Sequence, residues 1–319
     1  MEKLNNLFLS PQVSVFLFVE LFLLLILSIA LFHTLFILKR HKRNETTNRQ
    51  YQLEKRSYLV TTAISIALFI KISLLPFFTY TLNDLANIIP GAMCAAGVVW
   101  ANDYGSPLLL IKISVIILTA LWLLLNHEDK RAVNFPYFKG KLRFFIFLYI
   151  LILSETIIEF IFLAKQSTST PVMCCSTIFA NDNQNDLPFG LSAKLTAVIF
   201  YISYIGVMFL AHIRNRLLLS ILSVLFVYFS YYAIVYFFGI YIYELPTHKC
   251  PFCLLQNEYY YIGYFIFGSL FIGIYYTLSV LFFRFANDKY TKIKIWFTFF
   301  VAITSFSFIK YLIINRVFL

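Results

Sequence analysis

Hydrophobic positions in this chain are grouped into long uninterrupted runs, and polar positions are confined to the short connections between them. Each run is long enough to cross a bilayer as a helix, which takes about 20 apolar residues. The predicted helices span residues 12–38, 58–80, 107–126, 142–165, 193–212, 217–241, 257–284 and 294–315. This pattern predicts an all-α fold, a polytopic membrane helix bundle with about eight transmembrane helices.

Composition agrees with a membrane protein and changes how the charge is interpreted. Of the 319 residues, 61% are hydrophobic and 13% are charged, whereas soluble domains have an apolar share of about half. The net charge of +11 would suggest nucleic acid in a soluble protein. Here the cations lie in short connections, where they set membrane orientation. We therefore expect the lipid bilayer as a partner and no nucleic acid.

The distribution of cations predicts which connections are cytoplasmic. Lys and Arg residues cluster in the connections after the first, third, fifth and seventh helices. These clusters are Lys39 to Arg56, Lys130 to Arg143, Arg214 to Arg216 and Arg284 to Lys294. The positive-inside rule places all four in the cytoplasm, so both termini and the connections 81–106, 166–192 and 242–256 are predicted to lie outside.

All five cysteines fall in the outer connections or at the helix ends beside them. They are Cys94, Cys174, Cys175, Cys250 and Cys253. Cysteine used only as a buried hydrophobic residue would be scattered through the helices. Outside a bacterial inner membrane, or in an ER lumen, thiols meet an oxidising environment. The segregation therefore predicts thiol chemistry on the oxidising side of a membrane. We expect a multi-pass protein of the bacterial inner (cytoplasmic) membrane, with the cysteine loops facing the periplasm.

The sequence Cys250-Pro251-Phe252-Cys253 is a C-x-x-C motif, predicted at the N-terminus of a helix. There the helix dipole and the free backbone N–H groups stabilise a thiolate. His248 and Lys249 add positive charge beside Cys250. The pair is therefore suited to thiol–disulfide exchange, in which a thiolate attacks a disulfide sulfur.

Ionisable residues inside the predicted helices form a second set of candidates. They are Glu20, Lys71, Lys112, Glu155, Glu159 and Lys310, all in or near the outer half of their helices. Glu155 and Glu159 share one helix face because they are spaced i, i+4. Such residues are costly in a membrane and often functional, so they are candidates to hold a redox partner or relay protons. Structural ion pairs, or lysines that extend to the interface, are the alternative, favoured most for Lys112 and Lys310.

The stretch Cys250-Pro251-Phe252-Cys253-Leu254-Leu255-Gln256 resembles the C-P-x-C-L-x-Q stretch of bacterial DsbB proteins. The helix order over residues 142–284 resembles the four-helix core of the vitamin K epoxide reductase family. On this resemblance the chain divides into an N-terminal three-helix membrane segment, 1–141, with the Cys94 loop. The core, 142–284, and a C-terminal transmembrane helix, 285–319, follow within one membrane domain. Asn257 stands where an Arg often follows the Gln in DsbB.

The resemblance implies a membrane thiol:disulfide oxidoreductase that exchanges electrons between periplasmic thiols and a membrane quinone. Cys250 and Cys253 would be the inner pair, and Cys174 or Cys175, with Cys94, would exchange with a periplasmic thioredoxin-like or other thiol protein. The implied cofactor is ubiquinone or menaquinone. Its candidate binding residues are Gln256, His248, Lys249, Glu155, Glu159 and Lys71.

Two further interpretations remain open at the level of sequence. His248, Cys250, Cys253, Cys174 and Cys175 form a set of soft ligands, which suits copper or zinc. The chain would then be a membrane protein that binds or handles metal. A transporter, or a subunit of a membrane complex without redox chemistry, is the third interpretation.

Overall fold

The structure is a computed structural model, and the part of the chain that it describes is mostly helical. It describes residues 7–40, 47–131, 135–167, 170–172, 190–246, 248–282 and 287–316. Within these ranges, eight helices are long and apolar enough to cross a membrane. They are α1 Pro11–Arg40, α2 Asn48–Ala86, α3 Gly105–Arg131, α4 Phe138–Ala164, α5 Ala193–Ile213, α6 Arg216–Ala233, α7 Ile262–Phe282 and α8 Asn287–Asn315. The prediction of an all-α, multi-pass membrane bundle is confirmed.

Helix ends differ from the predicted ones where capping or packing overrides hydrophobicity. Helix α2 begins about three turns before residue 58, because the Thr47 side chain caps it by accepting a hydrogen bond from the backbone N–H of Gln50. Helix α7 begins at Ile262 rather than at 257. Two short 3₁₀ turns occupy the intervening chain. Polar caps and turns of this kind leave little trace in a hydropathy pattern.

The chain forms two compact units. The first unit comprises Met1–Ile88 and Val99–Thr170, and the second comprises Ile89–Val98 and Pro171–Leu319. The sequence-based division at residues 141 and 284 rests on a family resemblance and stays a prediction. The compact units are drawn differently, because α4 packs against α1 and α3.

In the first unit, α1 packs on α2 and α4, and α3 packs on α2 and α4. Its buried side chains include Phe16, Trp122 and Phe145. The indole N–H of Trp122 donates to the backbone carbonyl of Lys141 at 2.9 Å. This satisfies the polar atom of a ring that is otherwise buried among apolar side chains.

The second unit has an aromatic core. The rings of Phe200, Phe226, Phe238 and Phe300 are fully buried and meet edge-to-face or tilted, with centroids 5.1 to 5.9 Å apart. After α6 ends at Ala233, the chain stays helical: a turn of π-helix, Ile234–Phe238, leads into a short α-helix, Gly239–Tyr243. The extra residue of a π turn shifts the helical register, and the turn is followed by Tyr241 and Tyr243, which are buried.

Candidate functional site

Three cysteine side chains meet in the second unit. The sulfur atoms of Cys94, Cys250 and Cys253 all lie within 4.8 Å of one another, and the residues are 0%, 1% and 4% exposed. The Sγ atoms of Cys94 and Cys250 are 3.6 Å apart. This is a contact between thiols rather than a bond, since a disulfide measures about 2.05 Å. We call these residues the thiol cluster.

Cys94 reaches the cluster on a tight turn. Gly91 has a φ of +82°, in the left-handed region that other residues adopt at a cost. A Cβ atom at Gly91 would lie 2.5 Å from the backbone oxygen of Val172. The backbone N–H of Val172 donates to the carbonyl of Pro90 at 2.9 Å. Only glycine permits this approach, which fixes the chain immediately before Cys94 and the short helix Ala95–Val99.

The C-x-x-C motif does not lie at the N-terminus of a long helix, and that part of the sequence prediction is wrong. Cys253 opens a 3₁₀ turn, Cys253–Leu255, and a second such turn follows before α7 begins. Tyr260 and Tyr261 have φ values of 53° and 54°, so the backbone enters the left-handed region and the helix cannot extend back to the motif. The dipole of α7 therefore cannot be used to explain thiolate stability.

Aromatic residues surround the motif on its N-terminal side. The hydroxyl of Tyr243 donates to the backbone carbonyl of Cys250. The Tyr243 ring meets His248 edge-on at 4.4 Å and Tyr259 at 4.7 Å. Burial, followed by the charges of Cys253 and Glu258, raises the pKa of the Tyr259 hydroxyl, so this phenol stays protonated. Sequence reasoning missed Tyr243, although its place seven residues before Cys250 at a predicted helix end was an available signal.

The predicted quinone residues beside the motif have defined contacts. The Gln256 side-chain amide donates to the backbone carbonyl of Met93 at 2.9 Å, which links the C-x-x-C segment to the residue before Cys94. The ammonium of Lys249 lies 5.4 Å from the centre of the Tyr236 ring. Nε2 of His248 is buried and has no hydrogen-bond partner in the described part of the chain. The lack of a partner makes His248 the candidate to bind a further polar group.

The structure places the intramembrane charges Glu155, Glu159 and Lys71 in the first unit, whereas the residues of the thiol cluster belong to the second. They join Glu20 and Lys112 in one buried group. Of the two alternatives left open for Lys112, the structure shows the ion pair rather than an extension to the interface, because Lys112 is 3% exposed and its ammonium lies 2.6 Å from a Glu155 oxygen. Lys310, by contrast, is exposed.

Several predicted site residues lie elsewhere or outside the described residues. Cys174 and Cys175 are not among the residues described, so their predicted exchange with Cys94 stays a prediction. Val172, two residues before Cys174, lies against the turn that carries Cys94. Among the described residues, the potential metal ligands that lie within 4.8 Å of one another at this site are Cys94, Cys250 and Cys253. The metal set predicted from the sequence contained His248 and not Cys94, so the structure differs from it at both residues.

The arrangement can support two kinds of chemistry. Sulfur atoms this close can exchange disulfide bonds among themselves, or they can bind one soft metal ion together. Comparisons of this chain with protein-family models, with curated proteins and with solved structures found no match.

Proposed function

We propose that the protein is a membrane thiol:disulfide oxidoreductase that exchanges electrons between periplasmic thiols and a membrane quinone. The observation that carries the proposal is the 3.6 Å contact between Cys94 and Cys250, with Cys253 in the same group. A C-x-x-C pair with a third thiol in contact is the minimum needed to pass a disulfide from one pair of sulfurs to another.

The exchange among these residues conserves electrons. Starting from a Cys250–Cys253 disulfide, the Cys94 thiolate attacks the sulfur of Cys250. A Cys94–Cys250 bond forms, the Cys250–Cys253 bond breaks, and the electron pair of the broken bond leaves on Cys253 as a thiolate. The Gln256 hydrogen bond to Met93 and the Tyr243 hydrogen bond to Cys250 hold the attacking and attacked segments.

In this proposal the quinone is bound by residues on one side of the thiol cluster. His248 offers a buried ring nitrogen without a hydrogen-bond partner among the described residues. The ring of Tyr243 lies next to His248 and also contacts the ring of Tyr259. A bound ubiquinone or menaquinone supplies an acceptor for the two electrons and two protons that a pair of thiols releases when it becomes a disulfide. His248 would donate to or accept from a ring oxygen, and Tyr259 would remain a neutral donor.

The outer exchange partner in this proposal is a periplasmic thioredoxin-like or other thiol protein. Disulfide exchange with this partner would pass through Cys94, together with Cys174 or Cys175, which follow Val172 in the chain. The location is a bacterial inner membrane with these connections in the periplasm, supported by the cations at the opposite helix ends. In the first unit these include Lys39 and Arg40 at the end of α1, and Lys130 and Arg131 at the end of α3.

Thiol trapping tests the proposal. Membranes containing the whole protein are treated with an alkylating agent while the quinone pool is held oxidised or reduced, and disulfides are counted by mass. We expect a Cys250–Cys253 disulfide that follows the quinone pool. In Cys253→Ser we expect a Cys94–Cys250 disulfide instead, and in Cys94→Ser the original one. Thiols that stay reduced with an oxidised quinone pool would contradict the proposal.

Metal binding is a second candidate function, and the distance between the sulfur atoms of Cys94 and Cys250 favours it. Three thiolates bound to one metal ion at about 2.3 Å in tetrahedral geometry lie about 3.8 Å from one another, and Cys94 and Cys250 are separated by 3.6 Å. Copper(I) or zinc is the soft metal that such ligands select. Metal analysis of the purified protein separates the two functions. One equivalent of copper or zinc that is lost in Cys94→Ser, with all thiols reduced, would establish metal binding.

A further inference from the structure

Five charged side chains form one buried cluster in the first unit, and each of its four long helices contributes at least one. Glu20 comes from α1, Lys71 from α2 and Lys112 from α3, while α4 contributes both Glu155 and Glu159. Their exposed fractions run from 0% to 3%. We call this group the carboxyl–lysine cluster.

Hydrogen bonds account for the two lysines and two of the carboxylates. Lys71 donates to both oxygens of Glu20, at 2.6 and 2.9 Å, and to Oε1 of Glu155 at 3.1 Å. These three bonds use every N–H of its ammonium. Lys112 donates to the same Glu155 oxygen at 2.6 Å. Two ammonium groups are thereby matched with the carboxylates of Glu20 and Glu155.

Glu159 is the carboxyl left over. Its Oε1 lies 3.2 Å from the Lys112 ammonium, but neither of its oxygens has a hydrogen bond within the described chain. Oε2 of Glu155 also has none. Carboxylate oxygens of Glu20, Glu155 and Glu159 come within 4.8 Å of one another. Three carboxylates facing two ammonium groups leave one negative charge without a counter-charge.

The surroundings offer no third cation in the residues that the structure describes. The Lys112 ammonium also lies 3.7 Å from a Glu20 oxygen and faces the rings of Phe16 and Phe78, with centroids 5.4 and 4.4 Å away. An unpaired carboxylate in such an apolar interior is costly, and the usual remedy is that the group stays neutral. A protonated carboxyl also gains an O–H donor, and Glu155, on the same helix face, has an oxygen without a hydrogen bond in the described chain.

We propose that the carboxyl–lysine cluster is a binding site for one exchangeable proton, carried by Glu159. With the proton bound, two carboxylates face two ammonium groups and the cluster is neutral. When the proton leaves, the same cluster carries one net negative charge. Because the facing groups on the neighbouring helices are Glu20, Lys71 and Lys112, with Glu155 on the same helix, these four set how readily the proton is released. The site lies wholly in the first unit and does not depend on the thiol chemistry.

Infrared spectroscopy of the whole protein in lipid vesicles tests the proposal. The protonated carboxyl gives a C=O absorption that carboxylates lack. We expect this band in the wild-type protein, its loss in Glu159→Gln, and its retention in the control Glu54→Gln, which removes an exposed carboxyl from the same unit. Transfer to D₂O should shift the band, and raising the pH should replace it by carboxylate bands.

Other outcomes would overturn the proposal. They are a band that Glu159→Gln leaves in place, a band that D₂O does not shift, and a band abolished by sodium chloride but not by choline chloride.

Thermal stability gives a second measurement. Glutamine resembles a protonated carboxyl, so Glu159→Gln should keep nearly the wild-type melting temperature. Glu155→Gln removes the negative charge that faces both ammonium groups, at 3.1 and 2.6 Å, so its drop in melting temperature should be several times larger. Equal losses would show that Glu159 is a permanent counter-charge.

Discussion

The Sγ atom of Cys94 lies next to Cys250 because two backbone features hold its loop. On one side the turn at Gly91 packs against Val172, and on the other the amide of Gln256 donates to the carbonyl of Met93. Neither feature involves the reacting sulfur. At the scale of single residues, the proposed chemistry therefore depends on positioning groups that can be altered without touching a thiol.

Removing the Gln256 amide should loosen this positioning. In a Cys253→Ser background, Gln256→Ala loses a hydrogen bond worth about 1 kcal/mol, so the population in which Cys94 and Cys250 touch should fall about fivefold. The measurement is the rate at which diamide forms the Cys94–Cys250 disulfide. The neighbouring exposed residue provides the control, Asn257→Ala, and equal rates in the two variants would show that the link to Met93 does not position Cys94.

The Tyr243 hydroxyl should contribute to stability in the same region. Tyr243→Phe keeps the ring against His248 and Tyr259 but leaves the buried carbonyl of Cys250 without its donor. The free energy of unfolding should fall by about 1–3 kcal/mol, measured by denaturant titration in detergent. Tyr260→Phe, at a position 89% exposed, should change it little, and a similar loss in both variants would assign the effect to solvation rather than to the hydrogen bond.

At the scale of elements, the start of α7 supports the C-x-x-C turn. A Cβ atom at Gly263 would lie 2.8 Å from the backbone oxygen of Leu254 and 2.9 Å from its Cβ. The helix therefore touches the 3₁₀ turn, Cys253–Leu255, at the one residue type that allows such close contact. Any larger residue at 263 must displace either the helix or the turn that carries Cys253.

Gly263→Ala should therefore destabilise the protein and disturb the thiol cluster. Overpacking of this kind costs about 1–3 kcal/mol. The same helix has a matched control, because a Cβ at Gly268 meets no atom within 4 Å. Gly268→Ala should be neutral or stabilising by about 0.5–1 kcal/mol, since alanine favours helix. Unfolding titrations of both variants, with alkylation rates of Cys253, provide the test, and equal behaviour would argue against the contact with Leu254.

At the scale of the whole molecule, orientation decides what the thiols can meet. Basic residues mark the ends of α1 and α3, and Arg214 and Arg216 lie at the junction of α5 and α6. Along the chain these positions alternate with the connections that carry Cys94 and Cys250. Since short cationic loops remain in the cytoplasm, the proposed function requires the cysteine connections to face the periplasm.

Reporter fusions measure this orientation. Alkaline phosphatase, which needs disulfides and is active only on the oxidising side, should be active when fused after Asn102 and inactive when fused after Asn215. A fluorescent protein that folds only in the cytoplasm should give the reverse result. Activity of the phosphatase after Asn215 would invert the topology and place the thiol cluster in the cytoplasm.

Hydropathy was enough to predict the eight helices, because it acts locally along the chain. The meeting of Cys250 with Cys253 is also local. The contact between Cys94 and Cys250 spans 156 residues and depends on tertiary packing that no local pattern encodes. The absence of a helix around the C-x-x-C motif was missed because Tyr259, Tyr260 and Tyr261 continue an apolar run, while their backbone geometry follows from packing of the neighbouring turns.

The intramembrane charges also combine a feature that local sequence predicts with contacts that only tertiary packing determines. Spacing on one helix predicted that Glu155 and Glu159 share a face, and both point into the carboxyl–lysine cluster. It could not predict that Lys112 is buried there, because the partner that stabilises its charge comes from another helix. A lysine near a helix end satisfies the hydropathy pattern equally well in the interface or in a buried ion pair.

The pairing within this cluster has a consequence for biogenesis. A single helix with a charged residue at its centre enters the bilayer at a cost of about 2.5–3.5 kcal/mol per charge. The hairpin of α1 and α2 carries Glu20 and Lys71, which pair at 2.6 Å, and the hairpin of α3 and α4 carries Lys112 and Glu155, which also pair at 2.6 Å. With Glu159 protonated, as proposed, each hairpin can enter the bilayer with its intramembrane charges paired. We therefore expect insertion as pairs of helices to cost less free energy than insertion of single helices.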